Sequence, residues 1–253
     1  MTIYTYDGTY HGLLTVILES YERKLLPDRI EKTGAFQGAL FGTCIHIVTQ
    51  EEKALRVWKA IDKKLSVNAK HIPYRAFLSE MEGIEMKIFN YVKLVIDSKE
   101  SIETDLRDDR VIEMVKIVQK VSKEAMRMMQ FVRFQKTKDN IYFAPVEPDH
   151  DVLELVIDHF RDRFSDQSWL IYDMKRDFGI YYDTAEVQLV KINENKASRK
   201  TGKIDPDVLE EGEEIYQKLW KSYYKSTTTL QRKNLKRHLQ YLPRRYWKYL
   251  TEK

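Results

Sequence analysis

The sequence predicts an α+β protein with a helix-rich N-terminal half, a central antiparallel β-sheet carrying a packed helix in a ββαββ-like order, and a basic helical C-terminus. Three observations lead there. Apolar residues recur at helical spacing through much of the first 130 positions, the period drops to two between Phe131 and Ile192, and cations and aromatic residues crowd positions 215–253.

Each element follows from its own residues. Ile3 to Tyr6 alternate β-formers before the Asp7-Gly8 turn pair, and Leu13, Leu14, Ile17, Leu18 and Tyr21 then repeat at helical spacing until Pro27. Leu40 to Thr49 is rich in β-branched residues and reads as a strand, which makes Cys44 a buried strand residue. Thr49 and Glu52 have the spacing of a capping box, opening a helix through Trp58 and Ile61 toward Leu65. The N-terminal outline is therefore β-α-β-α. From Pro73 to about Met129 the pattern is helical, with Ile84, Ile88, Tyr91, Val92 and Val95 on one segment. Val111, Met114, Val115, Val118, Val121 and Ala125 mark another, and the polar run SKESIETDLRDD joins the two.

Phe131 to Gln135 and Ile141 to Val146 read as strands around a Lys138-Asp139-Asn140 turn. Pro148 and Asp149 are expected to start a helix whose apolar face is Val152, Leu155, Val156, His159, Phe160 and Phe164. Trp169 to Tyr172 and Phe178 to Tyr182 form a second hairpin, and Val187 to Ile192 a further strand. Asn193 to Pro206 lacks apolar periodicity and reads as a loop or linker. Asp205 as N-cap and Pro206 at the first helical position open the final helices. The expected organisation is a helix-rich region 1–130, a sheet-and-helix unit 131–192, and a linker with basic aromatic helices over 193–253, packed as one compact unit.

Composition narrows the function. With 253 residues, 43% hydrophobic and 32% charged, and only 9 Gly and 6 Pro, the chain is neither collagen-like, low-complexity nor disordered. Cys44 is the sole cysteine, so no intramolecular disulfide or cysteine-rich cluster can form, and a reducing cytoplasm is the expected compartment. No apolar run approaches the ~20 residues of a membrane span, and no membrane partner is expected. The net charge of +4 conceals an asymmetry: positions 215–253 hold eleven Lys and Arg against the single acid Glu252. That stretch carries +10 and the rest of the chain −6, which points to an anionic partner.

Within the basic tail, Arg232, Lys233, Lys236, Arg237, Arg244, Arg245 and Lys248 are interleaved with Trp220, Tyr223, Tyr224, Tyr246, Trp247 and Tyr249. Cations neutralise phosphates and aromatic faces stack unpaired bases, so these seven cations are the candidate nucleic-acid-binding residues. The alternative is that the aromatics anchor a terminal helix whose other side is simply solvated; Trp220 and Trp247 fit that role. Asp149 and His150, within EPDHD, could form an acid–base pair, but an Asp in a first helical turn also caps free N–H groups. Asp7 and His11 sit at a strand-to-helix junction where a reacting group could bind, or where Asp7 or Thr9 simply caps. These four are the candidate catalytic residues. No phosphate-binding loop, dinucleotide fingerprint, H-E-x-x-H, G-x-S-x-G or C-x-x-x-C-x-x-C occurs, and no metal or cofactor is expected on this chain.

YDGTYHGLLTVILESY, VRFQKTKDNIYFAPVEPDHDVLELVIDHFRDRF, WLIYDMKRDFGIYYD and LWKSYYKSTTTLQRKNLKRHLQYLPRRYWKYLTE, in this order, resemble a bacterial family of DNA metabolism or DNA repair proteins built on a domain of unknown function. The matching positions include Tyr6, Asp7 and Gly8; Pro148 and His150; Arg163 and Phe164; Asp173 and Gly179; and Pro243, Arg245, Tyr246 and Trp247. Leu242 stands where the family usually shows Met, a swap that conserves apolar volume. The resemblance implies a DNA-linked role beside a radical S-adenosylmethionine protein, and it supplies no catalytic residue.

Three functions follow as expectations. The first is a DNA-binding accessory partner of a radical S-adenosylmethionine enzyme in repair or modification. The second is an enzyme acting directly on damaged or modified DNA by acid–base or metal-assisted chemistry. The third is a protein-interaction scaffold that makes no nucleic-acid contact.

Overall fold

The computed structural model describes residues 1–35, 42–103, 105–192, 197–198, 200–227 and 235–252. The architecture is α+β, as the sequence predicts, and the chain divides into two compact units, Met1–Val121 and Ser122–Lys253.

In the N-terminal unit a three-stranded parallel sheet is ordered β2-β1-β3, with β1 Thr2–Tyr6, β2 Arg29–Lys32 and β3 Thr43–His46. Parallel neighbours need a crossover, and α1, Tyr10–Glu22, supplies it between β1 and β2. The helices α2 Glu51–Lys64, α3 Ile72–Phe77 and α4 Ile84–Asp97 follow. The core joins Tyr4 and Tyr6 of β1 to Leu13, Val16 and Ile17 of α1, Val57 and Ile61 of α2, and Ile88, Phe89 and Val92 of α4. Lys53 of α2 bridges Glu19 and Glu22 of α1, fastening the two helices at their outer edge.

Three expectations need correction here. β2 was not anticipated, because Arg-Ile-Glu-Lys offers a single apolar residue to the core, Ile30. Thr49 does not cap α2: its hydroxyl donates to Asp7 Oδ2 at 2.7 Å, and Gln50 is the N-cap without a side-chain bond. Cys44 is exposed, because among the described residues β3 pairs with β1 alone and is an edge strand. The part of the expected strand at Leu40 lies outside the described residues.

The helix α5, Asp109–Phe131, contains the boundary between the units. The C-terminal unit is built on a five-stranded sheet ordered β4-β5-β6-β7-β8: Gln135–Lys136, Tyr142–Val146, Trp169–Asp173, Phe178–Tyr182 and Val187–Val190. It is antiparallel except for β5 and β6, which run parallel with Tyr142 opposite Trp169. The predicted turn at Lys138 to Asn140 does join β4 to β5, with Asn140 in the left-handed region at φ 59°. The first strand is shorter than expected because α5 continues to Phe131.

Pro145 is tolerated inside this sheet for a specific reason. Tyr142 N–H bonds toward β6, to Ser168 O at 2.9 Å, so alternation turns the position 145 nitrogen toward β4, which has already ended.

Both faces of the sheet are covered. On one, Trp169 packs with Phe134, which precedes β4, and with Phe160 of the helix α6, Ile157–Arg163. On the other, Phe143 and Tyr172 meet Ala197, Ile204 and Tyr249. Ala197 and Ile204 pair with each other as an isolated bridge, so this part of the apolar-poor run 193–206 is packed.

The expected helix start at Pro148 and Asp149 is also corrected. A 3-10 turn begins only at Glu154, and α6 at Ile157. Asp149 N–H donates to Glu124 and its carbonyl accepts from Lys175 and Arg176, which holds residues 147–153 out of helical geometry. After the 3-10 turn Pro206–Val208, the chain forms α7 Glu213–Thr227, α8 Leu235–Tyr241 and a 3-10 helix Arg244–Tyr249.

Candidate nucleic-acid interface

α7 presents three distinct faces, because its sequence interleaves three residue classes at helical spacing. Glu213, Gln217 and Tyr224 are half-buried, and Gln217 bonds to Gln135 at 2.8 Å. Lys218, Lys221 and Lys225, spaced by three and four, line a second face and are exposed. Ile215, Tyr216, Leu219 and Tyr223 form a third, all of them more than half exposed. Trp220 lies between the docking and aromatic faces at 38% exposure, its indole N–H donating to Glu252 at 3.0 Å while Arg133 sits over its ring. Trp220 is therefore an anchor with an accessible face. α8 adds exposed Lys236 and Arg237, and Arg237 lies over the Tyr241 ring. The predicted cations Arg232 and Lys233 lie outside the described residues.

The remaining predicted cations do different work. Arg244 is exposed, with its guanidinium over Trp247. Arg245 bridges Glu124 at 2.7 Å and Asp149 at 3.0 Å, and stacks over Tyr246. Lys248 pairs with Glu147, which also accepts from the Tyr249 hydroxyl at 3.0 Å. These two cations fasten the chain end to the body of the unit.

Glu124 is the centre of that fastening and is only 2% exposed. Burial by itself would raise its carboxyl pKa, but bonds from the Tyr246 hydroxyl, the Asp149 N–H and Arg245 outweigh burial and hold it below the usual carboxylate value. Glu252 is lowered in the same way: burial opposes, and Arg133 and Trp220 prevail. A third buried acid, Asp173, accepts from the Lys175 and Arg176 N–H groups and pairs with the Arg176 guanidinium at 2.6 Å. No sequence signal marked Glu124, which looks like any polar residue of a long amphipathic helix.

Arg244, Arg245, Lys248 and Lys175 surround, with Glu147, Pro148 and Asp149, a cleft of about 500 Å³. Four cations and two acids line it, and two of the cations, Arg245 and Lys248, are already paired with Glu124, Asp149 and Glu147. His150 is adjacent in sequence but does not line the cleft.

Asp7 and His11 belong to the other unit. Asp7 Oδ1 accepts from the Thr9 N–H and hydroxyl at 2.9 and 2.8 Å, and Oδ2 from Thr49; Thr9 in turn caps α1 through the Gly12 N–H at 2.9 Å. Burial alone would raise the Asp7 pKa, and these bonds reverse that and lower it. Gly8 supplies the left-handed φ of 86° in this turn. A Cβ at Gly12 would stand 2.3 Å from Asp7 Oδ1, so the turn requires glycine there. Asp7 thus holds a junction together, while His11 faces a separate pocket with Tyr10. Among the described residues no three His, Cys, Asp or Glu side chains are placed to hold a metal ion.

The sequence profile of a domain-of-unknown-function family, DUF4130, matches residues 82–252. The chain belongs to the DUF4130 family. That span takes in the whole C-terminal unit except its last residue, and with it α7, α8 and the cleft. No curated protein matches the chain. Among solved structures, the DUF4130 chain is similar to a pGpG-specific phosphodiesterase, PggH from Vibrio cholerae, at 10% identity and a TM-score of 0.34, covering 90% of this chain and 99% of that one. No helix among the described residues is long and apolar enough to cross a membrane.

Proposed function

We propose that this protein is a DNA-binding accessory factor in DNA repair or modification, whose partner, a radical S-adenosylmethionine protein, performs the redox chemistry. The observation that carries the DNA-binding reading is the separation of faces on α7. Lys218, Lys221 and Lys225 form an exposed row able to follow a phosphate backbone, while exposed Tyr216 and Tyr223 lie about 160° away, toward the opposite side of the helix. Lys236, Arg237 and Arg244 extend the cationic surface.

The partner follows from the family resemblance, and the absence of any cluster-binding cysteine motif in this chain agrees with a division of labour. Co-purification of the two proteins that persists after nuclease treatment, together with retention of DNA by the pair, supports this arrangement. A pair that forms but never retains DNA replaces it with the scaffold reading.

The DNA reading is tested by binding single-stranded, duplex and uracil-containing DNA to the full chain at two salt concentrations. Neutralising about six phosphates gives a slope of log affinity against log salt of roughly −5 on duplex. A flat response removes the electrostatic basis of the reading. One observation favours chemistry as a second reading: Glu147 and Asp149 line the cationic cleft, where a carboxylate could serve as a general base beside a bound phosphate. Turnover on damaged DNA that is lost in Asp149→Asn supports it, and absence of turnover dismisses it.

A further inference from the structure

A second cavity lies wholly within the N-terminal unit and shares nothing with the cationic surface. Tyr10, His11 and Leu14 from the start of α1, Ala54, Leu55 and Trp58 from α2, His71, and Tyr74 from α3 enclose about 270 Å³. Five of these eight side chains are aromatic or imidazole rings, and none is a carboxylate, lysine or arginine. Trp58 and His71 lie 5.7 Å apart between ring centres, and Tyr10 and Tyr74 meet edge-on at 5.1 Å. The Asp7–Thr9–Gly12 junction fixes the first turn of α1, and so fixes Tyr10 and His11 in the wall.

We propose that this pocket binds a nucleobase: a planar one- or two-ring heterocycle whose ring nitrogens or carbonyls accept hydrogen bonds. The volume falls just below the range of ~300–1,000 Å³ typical of drug-sized ligand sites, which fits a single base. The tilted Trp58–His71 pair and the edge-on Tyr10–Tyr74 pair give the wall ring surfaces that favour a flat aromatic guest over an aliphatic one. A charged ligand would lose its hydration against a wall that offers no countercharge. The polar requirement comes from Tyr10. Its hydroxyl is buried without a hydrogen-bond partner among the described residues, and burial raises its pKa, so it remains a neutral donor. A donor left unmatched is destabilising, and an acceptor on the guest supplies the missing partner. That hydroxyl is closed off from the cavity in this structure, so the half-buried Tyr74 ring beside it must turn when a base binds. His11 and His71 add ring nitrogens at the rim.

This inference stands apart from the proposed function, because it involves neither α7, α8 nor the cationic cleft. The test is calorimetric titration of the full chain with free adenine and free uracil, with toluene as a flat guest lacking acceptors. One base per chain is expected, with toluene weaker by about fivefold or more for want of the Tyr10 bond. Tyr10→Phe is expected to weaken base binding about five- to tenfold while thermal stability stays level or rises, since the variant deletes an unmatched buried donor. Leu55→Trp, which fills the pocket from a half-exposed position, is expected to abolish binding. Failure of both bases to bind, toluene binding as tightly as the bases, or Tyr10→Phe and Leu55→Trp both binding normally overturns the inference. A chain that binds bases but not DNA refutes the DNA reading and leaves this one standing.

Discussion

Replacing Glu124 by Ala is expected to release the C-terminal segment from its unit. The carboxylate accepts from the Asp149 N–H at 2.9 Å and from Arg245 at 2.7 Å, receives the Tyr246 hydroxyl, and has Arg127 at 3.6 Å. Removing one member of a buried, hydrogen-bonded charge pair costs about 3–5 kcal/mol, because the partner is left uncompensated. Arg245 retains 34% of its side-chain exposure and a second acid, Asp149, so part of that cost is screened by water. The expected loss is therefore about 2–3 kcal/mol, a balance between the buried-pair figure and its exposed discount. Urea unfolding followed by tryptophan fluorescence reads the correct region: Trp169, Trp220 and Trp247 lie in the C-terminal unit and Trp58 alone in the other. A shift below about 0.5 kcal/mol, the size of an ordinary surface substitution, would refute the assignment of Glu124 as the anchor.

The same carboxylate makes stability depend on pH. Its folded pKa lies below the unfolded value near 4.5, so its contribution is complete above that value and is lost as pH falls through the folded pKa; Glu124→Gln should flatten this acid limb of a stability curve. Gly12→Ala should lower stability by about 1–3 kcal/mol in a thermal melt, because the new methyl meets Asp7, Thr49 and the Tyr6 ring with no space to take it. Lys53→Met should cost about 1–2 kcal/mol, because it removes one partner of the buried Glu19, which keeps Arg23, while its pair with the more exposed Glu22 is screened; double-mutant cycles with Glu19 and Glu22 separate the two couplings.

Much of the fold could be read along the chain wherever one physical pattern acted alone. β1 and α1, the long helix α5, the hairpin turn ending at Asn140, and the strands starting at Trp169 and Phe178 all follow from period and turn chemistry. Two of the misreadings share a cause, tertiary partners prevailing over local preference. Thr49 has the spacing of a capping residue, but Asp7, 42 positions away, takes its hydroxyl. Asp149 has the look of a helix start, but Glu124 and Lys175 claim its backbone. The parallel pairing of β5 with β6 depends on the crossover through α6, and no local pattern encodes it.

The candidate site was legible as a charge and illegible as a geometry. Eleven cations in the last segment singled the region out in sequence, but nothing there distinguished Lys221, exposed on α7, from Arg245, which is tied to Glu124. Their difference lies in whether an acid from another element comes within reach. A C-terminal deletion would therefore be a poor test of binding, since Tyr246, Tyr249 and Leu250 are part of the buried core.

The most direct test compares DNA binding by the full chain and by a Lys218→Gln, Lys221→Gln, Lys225→Gln variant across a salt titration. All three lysines are exposed, so stability should change by less than about 0.5 kcal/mol per site. If α7 follows the phosphate backbone, the variant binds more weakly at every salt concentration and its slope on duplex is shallower by roughly 2.7, about 0.9 for each lost phosphate contact. Equal affinity and equal slope in the two proteins would contradict the account.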